Sequence, residues 1–253
     1  MTATQRTRTV QALLVATLFA VLPPEFAAAQ GGPGFLFRQP IVSVGFRTGY
    51  SLPRAGSDIF SHTQEQLTIE NSDFAGNYFG GEVSVRVSDH VDLAFGVGYT
   101  ESITRSEFRD WVDTDDQAIE QTTKFAMTPV TLSAKYFLMD RGRSIGRFAW
   151  VPARLNAYVG GGVGVTFYNF DQVGDWVDFE TSDIFNTQFK SNGNGKQLHA
   201  LAGIDLTITK NIFLTGESRY LWADAALDET FFKGFNDVDL AGLQFSVGIS
   251  ARF

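Results

Sequence analysis

LQFSVGISARF, residues 243–253, is the stretch on which the fold turns. Leu243, Phe245, Val247, Ile249, Ala251 and Phe253 are apolar, and Gln244, Ser246, Gly248, Ser250 and Arg252 between them are polar or small. A strict period of two is the mark of a strand with two unlike faces. The same alternation runs through 42–50, 78–87, 91–99, 130–138, 155–167, 197–208 and 212–222. Each segment is long enough to cross a bilayer when tilted, and a spanning sheet must close so that no backbone amide is left in hydrocarbon. The expected fold is all-β: an eight-stranded antiparallel up-and-down transmembrane β-barrel, with lipid outside and a narrow polar interior.

The N-terminus reads as an export signal. Arg6 and Arg8 precede an apolar run from Val10 to Leu22, and Ala27-Ala28-Ala29 offers a small-residue cleavage site before Gln30. Residues 1–29 are therefore expected to be a secretory signal peptide and 30–253 the barrel domain, in the cell outer membrane. With no cysteine in the chain there is no lipoprotein anchor, disulfide or zinc–thiolate site. Without Arg6, Arg8 and Glu25 the remainder holds 18 basic and 27 acidic residues, a net charge of −9 that argues against nucleic acid as a partner.

Charge tests the facing of each strand. A Lys or Arg turned to lipid near midplane costs about 2–4 kcal/mol, and a one-residue slip would flip a whole strand. Arg47, Arg86, Lys135 and Arg219 all fall opposite the apolar parity of their segments. They join Glu82, Asp205, Glu217 and Arg252 in an expected ion-pair network in the lumen. Glu217 and Arg219 share one face of one strand, with Asp205 in reach on the next. Two readings are open: a structural plug, or a selectivity or gating lining. Pro129 lacks an amide donor, so irregular or bulged pairing is expected beside it. A soluble lipocalin-like barrel is the competing fold, with the apolar faces inside instead.

Connections alternate in length. Ser88-Asp89-His90 and Thr209-Lys210-Asn211 read as tight turns, with 139–154 a longer link on the same side. Long loops are expected over 51–76, 102–120, 169–195 and 224–238, on the outside. Acidic groups recur there among aromatics. Phe170, Trp176, Phe179, Phe231, Phe232 and Phe235 are expected to form a hydrophobic extracellular mouth or to lie against lipid, since clustered exposed phenylalanines on a loop normally pack or bind. No fixed metal-ligand spacing appears among the carboxylates. His62, His90 and His199 are the only histidines: His90 falls in a tight turn, His62 in a long loop, and the inward His199 is followed by Ala200 and Leu201 rather than a serine, with Ser218 on the neighbouring strand at the lipid-facing parity, so no catalytic residue and no cofactor is assigned.

Four segments carry a family resemblance. MTPVTLSAKYFL (127–138), LNAYVGGGVGVTFYNF (155–170), ALAGIDLTITKNIFLTGESRYLWAD (200–224) and FSVGISARF (245–253) resemble strands of the small eight-stranded outer-membrane barrels, the OmpW-like family among them. The resemblance implies insertion by the outer-membrane assembly machinery, with Phe253 in the signal it reads. It also implies a narrow channel or binding protein for a small hydrophobic solute. The alternative is a structural or adhesive protein that meets lipopolysaccharide and other partners through its loops.

Overall fold

The computed structural model describes residues 34–253. The expected signal peptide lies outside the described residues. Eleven strands appear: β1 Val42–Pro53, β2 Gly76–Arg86, β3 Val91–Val112, β4 Ala118–Phe137, β5 Gly142–Ser144, β6 Trp150–Pro152, β7 Leu155–Val177, β8 Ile184–Thr207, β9 Ile212–Ala225, β10 Val238–Asp239 and β11 Gly242–Arg252. Among the described residues one α-helix, α1, spans Asp58–Gln66 between β1 and β2.

Eight strands form the wall, each antiparallel to its neighbours, in the order β1-β2-β3-β4-β7-β8-β9-β11. The ring closes where β11 pairs with β1 from Ser43↔Arg252 to Pro53↔Gly242. Phe253 continues this seam: its N–H donates to the Val42 carbonyl at 2.8 Å, and its own carbonyl accepts from Ile41 at 2.7 Å. With no open edge, backbone groups in the wall are satisfied from strand to strand, which a bilayer demands.

Parity follows the alternation. Phe79, Phe95, Leu132, Val163, Leu198, Leu214, Val247 and Ile249 stand on the outer surface, while Arg47, Glu82, Lys135, His199, Glu217 and Arg219 are buried inside. The outer belt is apolar and the interior of these segments polar, the reverse of a lipocalin-like barrel. Beside Pro129 the β3–β4 ladder skips Gly98 and Tyr99 but resumes in the same frame, Val97↔Val130 and Thr100↔Met127. The proline removes bonds without inserting a residue. The one register shift in that ladder lies between Glu107 and Val112, where Asp110 takes a left-handed backbone at φ 61°.

Two of the expected long loops are not loops. β3 and β4 run 22 and 20 residues, and β7 and β8 run 23 and 24, whereas β1, β2, β9 and β11 run 12, 11, 14 and 11. About ten residues suffice to cross a bilayer. On one side the pairing runs to the strand ends: Val87 bonds Val91 and Ile208 bonds Ile212 at the tight turns 87–90 and 208–211, Phe137 pairs with Tyr158, and Ser43 pairs with Arg252. The surplus therefore rises on the opposite side, and 102–120 and 169–195 are largely paired wall ending in short tips at 113–117 and 178–183. Alternation of apolar and polar residues fades there because neither lipid nor a polar lumen flanks the strands.

Inside this raised half-cylinder sits an apolar core. The buried face of α1 carries Ile59 and Phe60 and packs with Phe74, Phe125, Phe170 and Phe232. The helix link is tied to the wall by a bridge between Leu67 and Phe108 and by Arg109 Nε, which donates to the Gln64 and Leu67 carbonyls. Arg54 and Asp239, 2.6 Å apart, join the first link to the last.

Phe95 faces lipid midway along the membrane part of β3. Phe95→Arg is expected to lower stability by about 2–4 kcal/mol in urea unfolding from lipid vesicles. Phe95→Leu should lose less than half as much.

Candidate functional site

The interior is stacked in layers from the turn end to the raised mouth. At the centre, five charged side chains from four strands meet. Glu82 of β2 accepts from Arg47 of β1 at 2.6 Å and from Lys135 of β4. Glu217 of β9 accepts from Arg47 at 2.7 Å, from Arg219 two residues on at 2.9 Å, and sits 3.4 Å from Lys135. None of these side chains is more than 8 % exposed, so each charge leans on the others for what water would supply.

Two tyrosines roof and floor this cluster, and glycines make room for them. Tyr158 donates to Glu217 Oε2 at 2.8 Å, and the Lys135 ammonium lies 5.0 Å from the centre of its ring. A Cβ at Gly203 would come within 2.5 Å of the Tyr158 ring and hydroxyl. Likewise a Cβ at Gly98 would meet the Tyr78 ring at 2.5 Å. An eight-stranded barrel is only as wide as its filling side chains, so a large inward residue needs a small one opposite.

The sequence places eight charges in one network; the structure divides them. Arg47, Glu82, Lys135, Glu217 and Arg219 form the central cluster. Arg86, Asp205 and Arg252 lie in a separate layer nearer the turns. Asp205 accepts from Thr215 at 2.8 Å rather than meeting Glu217 or Arg219. Arg252 donates to Thr207 at 2.9 Å and lies over the Phe213 ring, while Arg86 lies over the Trp150 ring. Strand tilt is the reason: residues alike in parity sit at different heights when the strands stagger. Sequence reading missed Arg141, which reaches in from the 139–154 link to bind Asp92 at 2.6 Å. A cavity of about 50 Å³ opens among these turn-end groups.

Above the central cluster lies a neutral polar belt. Ser133 and His199 Nε2 share a hydrogen bond at 2.8 Å, Gln197 stands 3.4 Å from His199 Nδ1, and Thr166 donates to Gln197 at 2.5 Å. Ser133 is thus the serine beside a histidine that the linear sequence hid, on the strand two places away across β7. Both residues are buried, and neither lines the turn-end cavity, the mouth cavity or the small space beneath Tyr78.

The mouth is where the aromatics gather. A cavity of about 210 Å³ lies between α1, the tips of β3, β7 and β8, and the 226–237 link. Of the six aromatics read from the sequence as the mouth, Trp176, Phe179, Phe231, Phe232 and Phe235 line this cavity. Phe170 does not: it is fully buried below, edge-on to Phe60 and Phe232, because inward parity on β7 points it into the raised core. Phe108, Phe185, Phe189 and residues of α1, Ile59, His62 and Thr63, complete the wall. Helix spacing of Ile59, Phe60, Thr63 and Leu67 after Ser57 was the available signal for α1. In the 226–237 link, the Thr230 amide bonds Asp228 at 2.9 Å and holds that carboxyl below its ordinary range.

A closed ring of eight antiparallel strands, apolar outside and polar at mid-lumen, defines a small outer-membrane β-barrel. No family model matches the chain, and no curated protein does. Among solved structures, the outer membrane protein OprG from Pseudomonas aeruginosa is similar at 13% identity over 85% of this chain and 97% of that one, with a TM-score of 0.49. Neisserial surface protein A is similar at 14% identity over 84% and 97%, TM-score 0.44, and E. coli outer membrane protein W at 14% over 85% and 100%, TM-score 0.39.

Glu217→Gln removes the negative charge shared by Arg47, Arg219, Lys135 and Tyr158 and turns one of its two acceptor oxygens into a donor. It is expected to cost about 3–5 kcal/mol of folding stability in lipid vesicles, because buried cations are left unpaired. Gly203→Ala should cost about 1–3 kcal/mol by pushing Tyr158 off Glu217, read in the same unfolding assay.

Proposed function

We propose that this protein is an outer-membrane binding protein for small apolar molecules, which it takes up at the raised mouth. The observation that carries the reading is the aromatic cavity of about 210 Å³ between α1 and the strand tips. An apolar cavity of about 150 Å³ in a protein can hold a single benzene ring. The mouth therefore suits a molecule of one ring or a short alkyl chain. Around Trp176, Phe179, Phe189, Phe231 and Phe235 there are few polar groups, chiefly His62, Thr63, Gln66 and Gln172 at its floor and sides. Such a lining rewards removal of apolar surface from water and asks little of the ligand in hydrogen bonding.

An axial channel is the weaker reading. Beneath the cavity stand the Phe60, Phe125 and Phe170 layer, the Ser133–His199 belt and the central ion cluster, each buried. A molecule captured at the mouth has a packed barrel below it, so release is sideways or back to the outside. The reading is one of binding rather than catalysis: Ser133 and His199 hydrogen-bond each other among buried residues, away from the mouth cavity. A second reading has its own observation: the hairpin tips 113–117 and 178–183 project exposed Asp115, Asp116, Glu180 and Asp183, with Asp113 half-buried beside them. These suit contact with cationic partners or with the divalent cations that bridge lipopolysaccharide. The outer-membrane assembly machinery is the partner proposed for the Phe253 seam.

Toluene titrated into the folded protein in nonionic micelles should give a saturable change in fluorescence that disappears in Trp176→Phe. Phe231→Ala with Phe235→Ala should weaken it about tenfold, the equivalent of about 1.4 kcal/mol. A signal that rises linearly with toluene, or an affinity unmoved by the double substitution, would sink the proposal.

A further inference from the structure

The turn-end layer holds more positive charge than its neighbours neutralise. Arg86, Arg141 and Arg252 line the lower cavity, with Asp92 and Asp205 the carboxylates of that layer. Arg141 is engaged: it binds Asp92 at 2.6 Å and donates to the Ser88 and Asp89 carbonyls at 2.8 and 3.1 Å. Asp205 takes the Thr215 hydroxyl and forms no ion pair within 4 Å. Glu82, Arg47 and Lys135 of the central cluster reach the upper wall of the same cavity, where Glu82 is already engaged by Arg47 and Lys135, and Glu217 serves Arg47, Lys135 and Arg219.

Two guanidinium groups are left with donors to spare. Arg252 is 8 % exposed, and among the described residues its Nε has no hydrogen-bond partner and its guanidinium makes one hydrogen bond, to Thr207. Arg86 has two such buried donors, Nε and Nη1. The Asn156 side-chain oxygen is also buried without a partner, and an amide turned about would present its N–H₂ group there instead. Buried donors on charged groups are costly to leave unmet, and a guanidinium fork matches the geometry of an oxyanion. The Arg252 guanidinium carbon lies 4.4 Å from the centre of the Phe213 ring and that of Arg86 5.5 Å from the centre of the Trp150 ring, and both arginines line the cavity.

We propose that this turn-end chamber binds one small oxyanion, phosphate-like or carboxylate, between Arg86 and Arg252. The cavity of about 50 Å³ holds roughly three to five water-sized spheres, which suits a tetrahedral oxyanion or a short carboxylate head and nothing larger. Its lining reaches Pro40 and Ile41 at the turn side, so the ligand enters from there and not through the aromatic mouth. Ser250 and Ser84 add hydroxyls to the wall. Asp205 is the one carboxylate that faces the bound anion without a cation of its own, and it limits the affinity.

Calorimetric titration of inorganic phosphate into the folded protein in nonionic micelles, in buffer free of other oxyanions, tests the site. One-to-one saturable binding with a Kd on the order of 1 mM or tighter is expected, with a Tm that rises with phosphate as mass action requires. Acetate in place of phosphate distinguishes an oxyanion site selective for tetrahedral ligands from a general carboxylate site. Arg252→Gln should weaken binding at least tenfold and Arg252→Lys less, while Asp205→Asn should tighten it several-fold. A role in packing alone would not make Asp205→Asn bind better. If Arg252→Gln does not fold, Arg86→Gln is the substitute and carries the same expectation. Heats that never saturate, or Arg252→Gln, Arg86→Gln and Asp205→Asn proteins that bind like the parent, would overturn the proposal.

Discussion

A strand in hydrocarbon has no water to which an unmet amide can turn. The seam between β1 and β11 answers that demand, running eleven residue pairs from Ser43↔Arg252 to Pro53↔Gly242 with Phe253 bonded beyond its end. Once the ring is closed, inside and outside are separated by parity alone. Every side chain on the wrong parity meets lipid, and every charge on the right one meets other charges in a lumen barely wide enough for them. The central cluster, the glycines beneath the tyrosines and the outer belt are consequences of that closure.

Width explains why the interior is filled rather than open. Tyr158 fits only because residue 203 is glycine, and its hydroxyl then completes the environment of Glu217. Glu217 in turn holds cations from β1 and β9 and stands close to one from β4. A side chain on one strand thus fixes the spacing of three others. Such a buried network is less a source of net stability than a penalty for any wrong register, since each misplaced strand would leave an unpaired charge.

The raised half of the molecule obeys another rule. Beyond the membrane, β3, β4, β7 and β8 still pair but no longer divide lipid from lumen. Their inward residues pack on α1 and the last link, forming an ordinary apolar core inside the wall. The mouth cavity is what that packing leaves over. The barrel accordingly joins two chemistries end to end: ionic and tightly filled at membrane depth, aromatic and partly open above it.

The alternation at 243–253 and its seven counterparts determined the barrel, the strand count and the inward facing of Arg47, Lys135 and Arg219, because lipid imposes a local two-residue code that each strand carries by itself. Outside the bilayer that code lapses. For this reason 102–120 and 169–195 read as loops although they are strands, and Phe170 read as mouth although it is core. Only the tertiary structure decided which inward charges meet. The height of a residue on a tilted strand depends on the stagger of its neighbours, so Arg86, Asp205 and Arg252 fall a layer below Glu217, Arg141 arrives from a distant link, and Ser133 lies beside His199. Parity is a property of one strand, whereas height and contact belong to the assembled ring.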